Sequence, residues 1–198
     1  MATLPSSSNA ELLDERCPSG FRAVFGEGLS RSSAADVAIL RIRLSAVDLS
    51  AQELGDLGSL RVLVAEVNAR TVEGEAYALV MDPDKRENLR LVLDLLKTGV
   101  LEIRSAPLGG WSPDFTVFSD TRGPQELLLG LHWFHRPFPH RGPAWAARFG
   151  AGEASRAHQR FQEIWAGAHD IGPAIRRLME RTTIRSRPFP VDTPNGPG

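Results

Sequence analysis

Hydrophobic and polar residues alternate in the first half of the chain with a period of two. In DVAILRIRLS, residues 36–45, Ala38 and Leu40 fall on one face and the residues between them fall on the other. That alternation predicts a strand. LRVLVAEVN, residues 60–68, is apolar on both faces at its start, as is typical of a central strand covered on both sides.

A helical period is clearest after Asp82, which is predicted to cap the helix with Pro83 at its first position. Gly99 is predicted to end this helix. The apolar stripe between them consists of Leu89, Val92, Leu93 and Leu96. Ser50 lies three residues before Glu53, which is the spacing of a capping box and predicts a short helix.

Two segments lack a clear period. ARTVEGEAYALVMD, residues 69–82, is predicted to be a polar loop. Ser32 and Ser33 precede AADVA, and we expect them to cap a short helix there.

The remaining elements complete an α/β pattern. VLEIRSAP, DFTVFSD and the segment Glu126–Leu131 are predicted strands, and the segments 153–170 and 172–182 are predicted amphipathic helices. This order predicts one α/β domain, residues 19–187, with a mixed sheet and helices on both faces. The Pro-, Ser-, Asn- and Gly-rich segments 1–18 and 188–198 are predicted to be flexible tails.

Composition fits a soluble globular chain of 198 residues, of which 42% are hydrophobic and 24% charged. Cys17 is the single cysteine, so an internal disulfide is impossible. No apolar run approaches the roughly 20 residues that cross a bilayer. The N-terminal residues do not have the pattern of a secretory signal, so we expect a cytoplasmic protein that does not bind a membrane.

Several of these segments together are similar to a known family. The segments are LRVLVAEVN, the helix ENLRLVLDLLKTG with VLEIRSAP directly after it, the hairpin Asp114–Gly130, and the late helix containing FQEIW. In this order they resemble one half of the phospholipase D-like superfamily, over about residues 20–180. The resemblance implies that the chain pairs with a second half, as a homodimer or with a protein partner.

The chemistry of that family uses a His-x-Lys pair on the strand of the hairpin, where histidine attacks phosphorus and lysine stabilises the phosphate. At the equivalent place this chain has residues from Asp114 to Val117, and no His-x-Lys occurs anywhere in the sequence. The resemblance therefore implies a pseudoenzyme that has no cofactor and acts as a binding or assembly subunit. By analogy, nucleic-acid metabolism or defence is its expected context.

An alternative is a residual phosphodiesterase or other hydrolase that uses His132, His135 or His140. These histidines lie in TRGPQELLLGLHWFHRPFPHRGPAW, residues 121–145. Alternation along a strand places His132 and His135 on opposite faces, which does not suit a shared metal ion. A metal site would need further ligands, for which the candidates are Asp114, Asp120 and His169, and we predict none.

The same segment is also a candidate surface for nucleic acid or another anion, because guanidinium groups neutralise phosphates and aromatic rings stack on bases. Residues 130–190 contain ten arginines and four acidic side chains, a net charge of +6. A structural explanation remains open, in which a proline-stiffened connection covers the core edge. A purely structural protein-interaction module is the third hypothesis. The predicted anion-binding residues are Arg136, Arg141, Arg148, Trp133 and Trp145.

Overall fold

The structure is a computed structural model that describes residues 11–14, 21–42, 51–81, 86–106, 114–130 and 145–185. The strands in these ranges are β1 (Glu11–Asp14), β2 (Ala34–Arg41), β3 (Ser59–Glu66), β4 (Leu101–Ser105), β5 (Phe115–Asp120), β6 (Gly123–Gly130), β7 (Trp145–Phe149) and β8 (His169–Asp170). The helices are α1 (Phe21–Ser30), α2 (Ala51–Leu54), α3 (Ala69–Met81), α4 (Arg86–Thr98), α5 (Ala151–Gly167) and α6 (Gly172–Arg185).

The described strands form one mixed sheet in the order β1-β7-β6-β5-β2-β3-β4-β8. β2, β3 and β4 are parallel, and the other neighbouring strands are antiparallel. At the centre, Asp36 of β2 lies opposite Arg61 of β3 on one side and Val117 of β5 on the other. β2 and β3 are buried on both faces, which explains their nearly continuous apolar sequences.

Helices cover both faces of the sheet, as predicted. Val37 and Ile39 point into a core shared with α1, α2, α3, α4 and α6. Ala38 and Leu63 point the other way, into a smaller core with α5. The α/β architecture with a mixed sheet is therefore confirmed, and so is the alternation of faces over residues 37–39 of β2. Ile42, which strict alternation puts on the face of Ala38, lies beyond the end of β2 and packs in the main core instead. Residues 43–45 lie outside the described residues.

The predicted helices near residues 89, 161 and 175 are also confirmed. Gly99, predicted to end α4, has a φ of 76°, a conformation that glycine adopts without strain. Phe161 of α5 and Ile175 of α6 are both buried, but in the cores on opposite faces of the sheet. None of the described helices is both long enough and apolar enough to cross a bilayer.

The prediction of a polar loop at residues 69–82 is wrong, because most of it forms α3. Asn68 caps this helix: its side-chain Oδ1 accepts a hydrogen bond from the backbone N–H of Arg70 at 2.9 Å. Val72 and Ala76, one turn apart, are buried against the main core. These two buried residues attach the described part of the helix to the core, and the polar residues around them conceal the helical period in the sequence.

The prediction of a helix after Ser32 and Ser33 is also wrong, since α1 comes before them and β2 follows. The Ser32 hydroxyl donates to the carbonyl of Gly28 at 2.7 Å, so it binds the end of α1. Gly28 lies against Phe118 of β5, and a Cβ atom there would be 2.7 Å from the ring. The absence of that side chain lets α1 lie close to the sheet.

Part of the predicted N-terminal tail belongs to the sheet. β1, from within the segment 1–18, pairs antiparallel with β7, a strand that the sequence did not indicate. The pairing satisfies backbone groups along the outer edge of β7, which local sequence patterns do not reveal.

Candidate functional site

The start of β5 is the place where the resemblance puts the catalytic strand. Asp114 precedes it with a φ of 68°, in the left-handed region. Its backbone N–H donates to the carbonyl of Ala38 at 2.7 Å, and its carbonyl accepts from the N–H of Gly130 at 2.9 Å. These two bonds hold Asp114 between β2 and β6, directly before the first residue of β5.

The following side chains do not offer the chemistry of a phosphoryl-transfer site. Phe115 is 9% exposed, and Thr116 and Val117 are 0% exposed. A buried hydroxyl and apolar side chains supply neither the nucleophilic imidazole nor the cation that the resemblance implies. Asp114 is half-buried and is the charged group at this position.

The ends of β2 and β3 lie at the same edge of the sheet. Arg41 and Glu66, which are opposite each other in the parallel register, form an ion pair through both Nε and Nη2 at 2.5 Å. Their side chains are 63% and 43% exposed. The carboxylate of Glu66 already occupies the guanidinium fork, so Arg41 would have to leave it to bind another anion.

The predicted binding segment lies mostly outside the described residues. This applies to His132, Trp133, His135, Arg136, His140 and Arg141. The backbone of Trp145 begins β7, and its side chain is not described. Arg148 of β7 is described, and its Nη2 donates to Oε2 of Glu126 on β6 at 2.7 Å. Its charge is therefore balanced within the sheet.

A cluster of polar side chains that the sequence analysis did not identify lies between the sheet and α5. Oδ1 of Asp36 accepts a hydrogen bond from Nε of Arg61 at 2.7 Å and forms an ion pair with Nη2 of the same residue at 2.6 Å. The side chain of Asp36 is only 3% exposed. A carboxylate this buried requires a charged partner, which Arg61 provides from the adjacent strand.

α5 supplies the other two members through residues one turn apart. Nδ1 of His158 lies 2.7 Å from Oδ2 of Asp36. Nε2 of Gln162 lies 3.2 Å from Nε2 of His158, and Oε1 of Gln162 accepts from Nη1 of Arg61 at 3.1 Å. Asp36, Arg61, His158 and Gln162 thus form a closed ring of hydrogen bonds, here called the buried quartet.

The hydrogen bonds of the buried quartet determine which nitrogen of neutral His158 carries the proton. Because Arg61 can only donate, the amide oxygen of Gln162 must face it and the amide nitrogen must face His158. Nε2 of His158 therefore accepts, and its proton is on Nδ1, where it is donated to Asp36.

Aromatic side chains close the quartet from the side of α5. The guanidinium of Arg61 lies 5.2 Å from the ring centroid of Phe161 and 5.4 Å from that of Trp165. Arg104 of β4 lies 4.6 Å from the centroid of Trp165 and donates to its carbonyl at 3.2 Å. These cation–π contacts place two arginines against one stacked aromatic pair.

An aspartate that orients an imidazole is also found in catalytic triads. There the second imidazole nitrogen accepts the proton of a nucleophile, whereas here Nε2 of His158 accepts a hydrogen bond from Gln162. The quartet also lies near the beginnings of β2 and β3, while ligands of parallel sheets usually bind where the strands end. The geometry therefore fits a connection between α5 and the sheet.

The sequence contained two signals of the quartet. Asp36 and Arg61 are charged residues inside the apolar segments AADVAIL and SLRVLVA, and buried charges require partners. His158 and Gln162 have the i, i+4 spacing of one helix face. Among the residues that the structure describes, no group of three or more His, Cys, Asp or Glu could hold a metal ion.

Both the sequence and the fold of this chain were compared with those of known proteins. No protein-family model matches the sequence, and the search of curated proteins found no match. Similar solved structures include TrmBL2, an archaeal chromatin protein with a novel mode of DNA binding, NucT from Helicobacter pylori, and Nuc from Salmonella typhimurium, a phospholipase D family member. The last belongs to the family that the sequence resembles.

The three structural matches have nearly the same sequence identity, coverage of this chain and TM-score. Sequence identity is 12%, 11% and 8%, the matches cover 84%, 83% and 83% of this chain, and the TM-score is 0.48 in each case. The chain spans 55% of the TrmBL2 chain, 99% of NucT and 98% of Nuc. One fold can carry many chemistries, so the side chains of this chain decide which chemistry is possible.

Proposed function

We propose that this chain is a non-catalytic, phospholipase D-like binding or assembly subunit that works in the cytoplasm as a homodimer. The observation that carries the proposal is the start of β5. From Asp114 to Val117 the side chains are one carboxylate, one buried hydroxyl and two buried apolar groups. None of them can form the covalent phosphohistidine on which the family's reaction depends.

The state of His158 supports the same conclusion. It lies in the buried quartet with hydrogen bonds to both ring nitrogens. An imidazole that is used in this way stabilises the packing of α5 and does not act as a base toward a substrate.

Nucleic acid is the ligand class that we propose, with the segment between β6 and β7 as its surface. The support is chemical: residues 130–190 carry a net charge of +6, and Arg136 and Arg141 alternate with the aromatic residues Trp133, Phe138 and Trp145. Since Arg148 is paired with Glu126, we assign the phosphate contacts to Arg136 and Arg141.

Fluorescence anisotropy with labelled single-stranded and duplex DNA tests this ligand class. We expect the affinity to fall as salt rises, because binding releases counterions from phosphates. Arg136→Gln/Arg141→Gln should lower both the affinity and the salt slope, the latter by about 1.4 to 1.8 for two phosphates. Arg90→Gln/Lys97→Gln on α4 is the control with the same charge change. No binding at low salt would eliminate nucleic acid and favour the protein-interaction module.

Hydrolysis of bis(p-nitrophenyl) phosphate and of nuclease substrates tests the absence of catalysis. We expect no turnover above that of a buffer control. Turnover that disappears in His132→Ala, His135→Ala or His140→Ala would show that the non-catalytic proposal is wrong and that a residual phosphodiesterase is present.

A further inference from the structure

A groove of about 410 Å³ lies between α3 and α6. It is on the main-core side of the sheet, whereas the buried quartet is on the side of α5. Apolar side chains make up its floor and walls: Val67, Val72, Ile171, Ala174, Ile175 and Leu178. Its size and apolar lining are those of a site that excludes water when a partner fills it.

The two rims of the groove carry opposite charges. Glu73 lies on α3 and Arg181 on α6, and both side chains are exposed. Neither has an ion-pair or hydrogen-bond partner within the described ranges of the chain. Thr182, next to Arg181, donates its hydroxyl to the carbonyl of Leu178 and is therefore used within α6.

Exposed apolar side chains occur in the groove and on α3, the helix that forms one of its walls. Val67 is 41% exposed at its end, and Tyr77, one helical turn after Glu73, is 56% exposed. These are two of the three large apolar side chains that are exposed among the described residues. A half-exposed tyrosine next to an apolar groove is typical of a protein interface.

We propose that this surface, the α3–α6 face, binds a second copy of this chain. A two-fold axis makes each surface contact itself, so that residue i of one copy meets residue j of the other and the reverse. Glu73 of each copy then meets Arg181 of the other, and Tyr77 of each copy packs into the opposite groove. The face carries both members of the charge pair and both the projecting ring and the groove, so it is complementary to itself.

This interface deepens the homodimer of the proposed function and rests on it. Sedimentation velocity over a range of concentrations should show that the full chain dimerises. Glu73→Arg and Arg181→Glu each place like charges opposite one another, and each should raise the dimer dissociation constant by about tenfold or more. Glu73→Arg/Arg181→Glu restores opposite charges and should return the constant close to that of the unchanged chain.

Matched controls separate the pairing from a change in total charge. Asp94→Arg and Arg90→Glu, on the exposed face of α4 and outside the groove, make the same charge changes and should leave dimerisation unaltered. Tyr77→Ala should weaken the dimer without any change in charge. Circular dichroism melting curves confirm that each variant is folded, as expected for substitutions of exposed side chains.

The outcomes distinguish the interface from the dimer itself. A chain that is monomeric at all concentrations overturns both the homodimer and the α3–α6 face. A dimer that is insensitive to Glu73→Arg, Arg181→Glu and Tyr77→Ala overturns the face alone. A weakened dimer that Glu73→Arg/Arg181→Glu fails to restore overturns the direct pairing of these two residues.

Discussion

Nδ1 of His158 lies 2.7 Å from Oδ2 of Asp36, and this contact joins α5 to the central strand β2. The two residues are 122 positions apart in the sequence. Together with Arg61 and Gln162 they satisfy each other's hydrogen bonds beneath a helix that covers one face of the sheet. The quartet therefore has consequences for stability that can be measured.

Replacing Asp36 with alanine should destabilise the protein strongly. The substitution leaves the cation of Arg61 and the Nδ1–H of His158 without their acceptor in a site that is only 3% exposed at Asp36. We expect a loss of about 3 kcal/mol in the free energy of unfolding, measured by urea denaturation. Asp94→Ala, at an exposed position of α4, should change it by no more than about 0.5 kcal/mol. If Asp36→Ala and Asp94→Ala changed the free energy of unfolding equally, the buried quartet would add no net stability.

The proton of neutral His158 should reside on Nδ1. Long-range ¹⁵N–¹H correlation spectra of the neutral imidazole should give a protonated Nδ1 and an unprotonated Nε2, because Nε2 accepts from Gln162. His169, exposed on β8, is an internal control that should exchange between both tautomers. A proton on Nε2 of His158 would contradict the closed ring of hydrogen bonds.

Asp120, at the end of β5, should titrate at unusually low pH. The pKa of its carboxyl group is lowered mainly by the side-chain hydrogen bonds from Arg122, and also by the Arg122 backbone N–H. A depressed pKa stabilises the fold above the pKa of the unfolded state, and this contribution is lost as pH falls through the folded value. Arg122→Gln should raise the pKa toward that of an ordinary aspartate in a ¹³C carboxyl titration. No change would mean that the pair does not persist in solution.

Two helical glycines should respond in opposite ways to alanine. Gly28→Ala places a Cβ 2.7 Å from the ring of Phe118, which is 1% exposed and cannot move aside. We expect destabilisation by about 1–3 kcal/mol. Gly74 of α3 has nothing within 4 Å of such a Cβ, so Gly74→Ala should stabilise by about 0.5–1 kcal/mol. Thermal unfolding of both variants measures the difference, and stabilisation by Gly28→Ala would contradict the close contact.

Elements with a strong local pattern were predictable. The apolar stripe of α4 and the alternation of β2 each identify an element from neighbouring residues alone, because a buried face repeats with the period of the backbone. α3 was not predictable in this way, since the buried residues Val72 and Ala76 stand among polar residues and the cap by Asn68 is a single hydrogen bond. β1 was not predictable either, because its pairing partner β7 is more than a hundred residues away.

The sequence by itself determined the α/β class and the absence of His-x-Lys from the whole chain, because both are properties of residue order. Only the tertiary structure brought Asp36 and Arg61 together with His158 and Gln162, and Glu73 together with Arg181 across one groove. Hydrogen bonds and charge pairs act over a few ångströms in space, and a sequence shows which groups need a partner without showing which distant group will reach them.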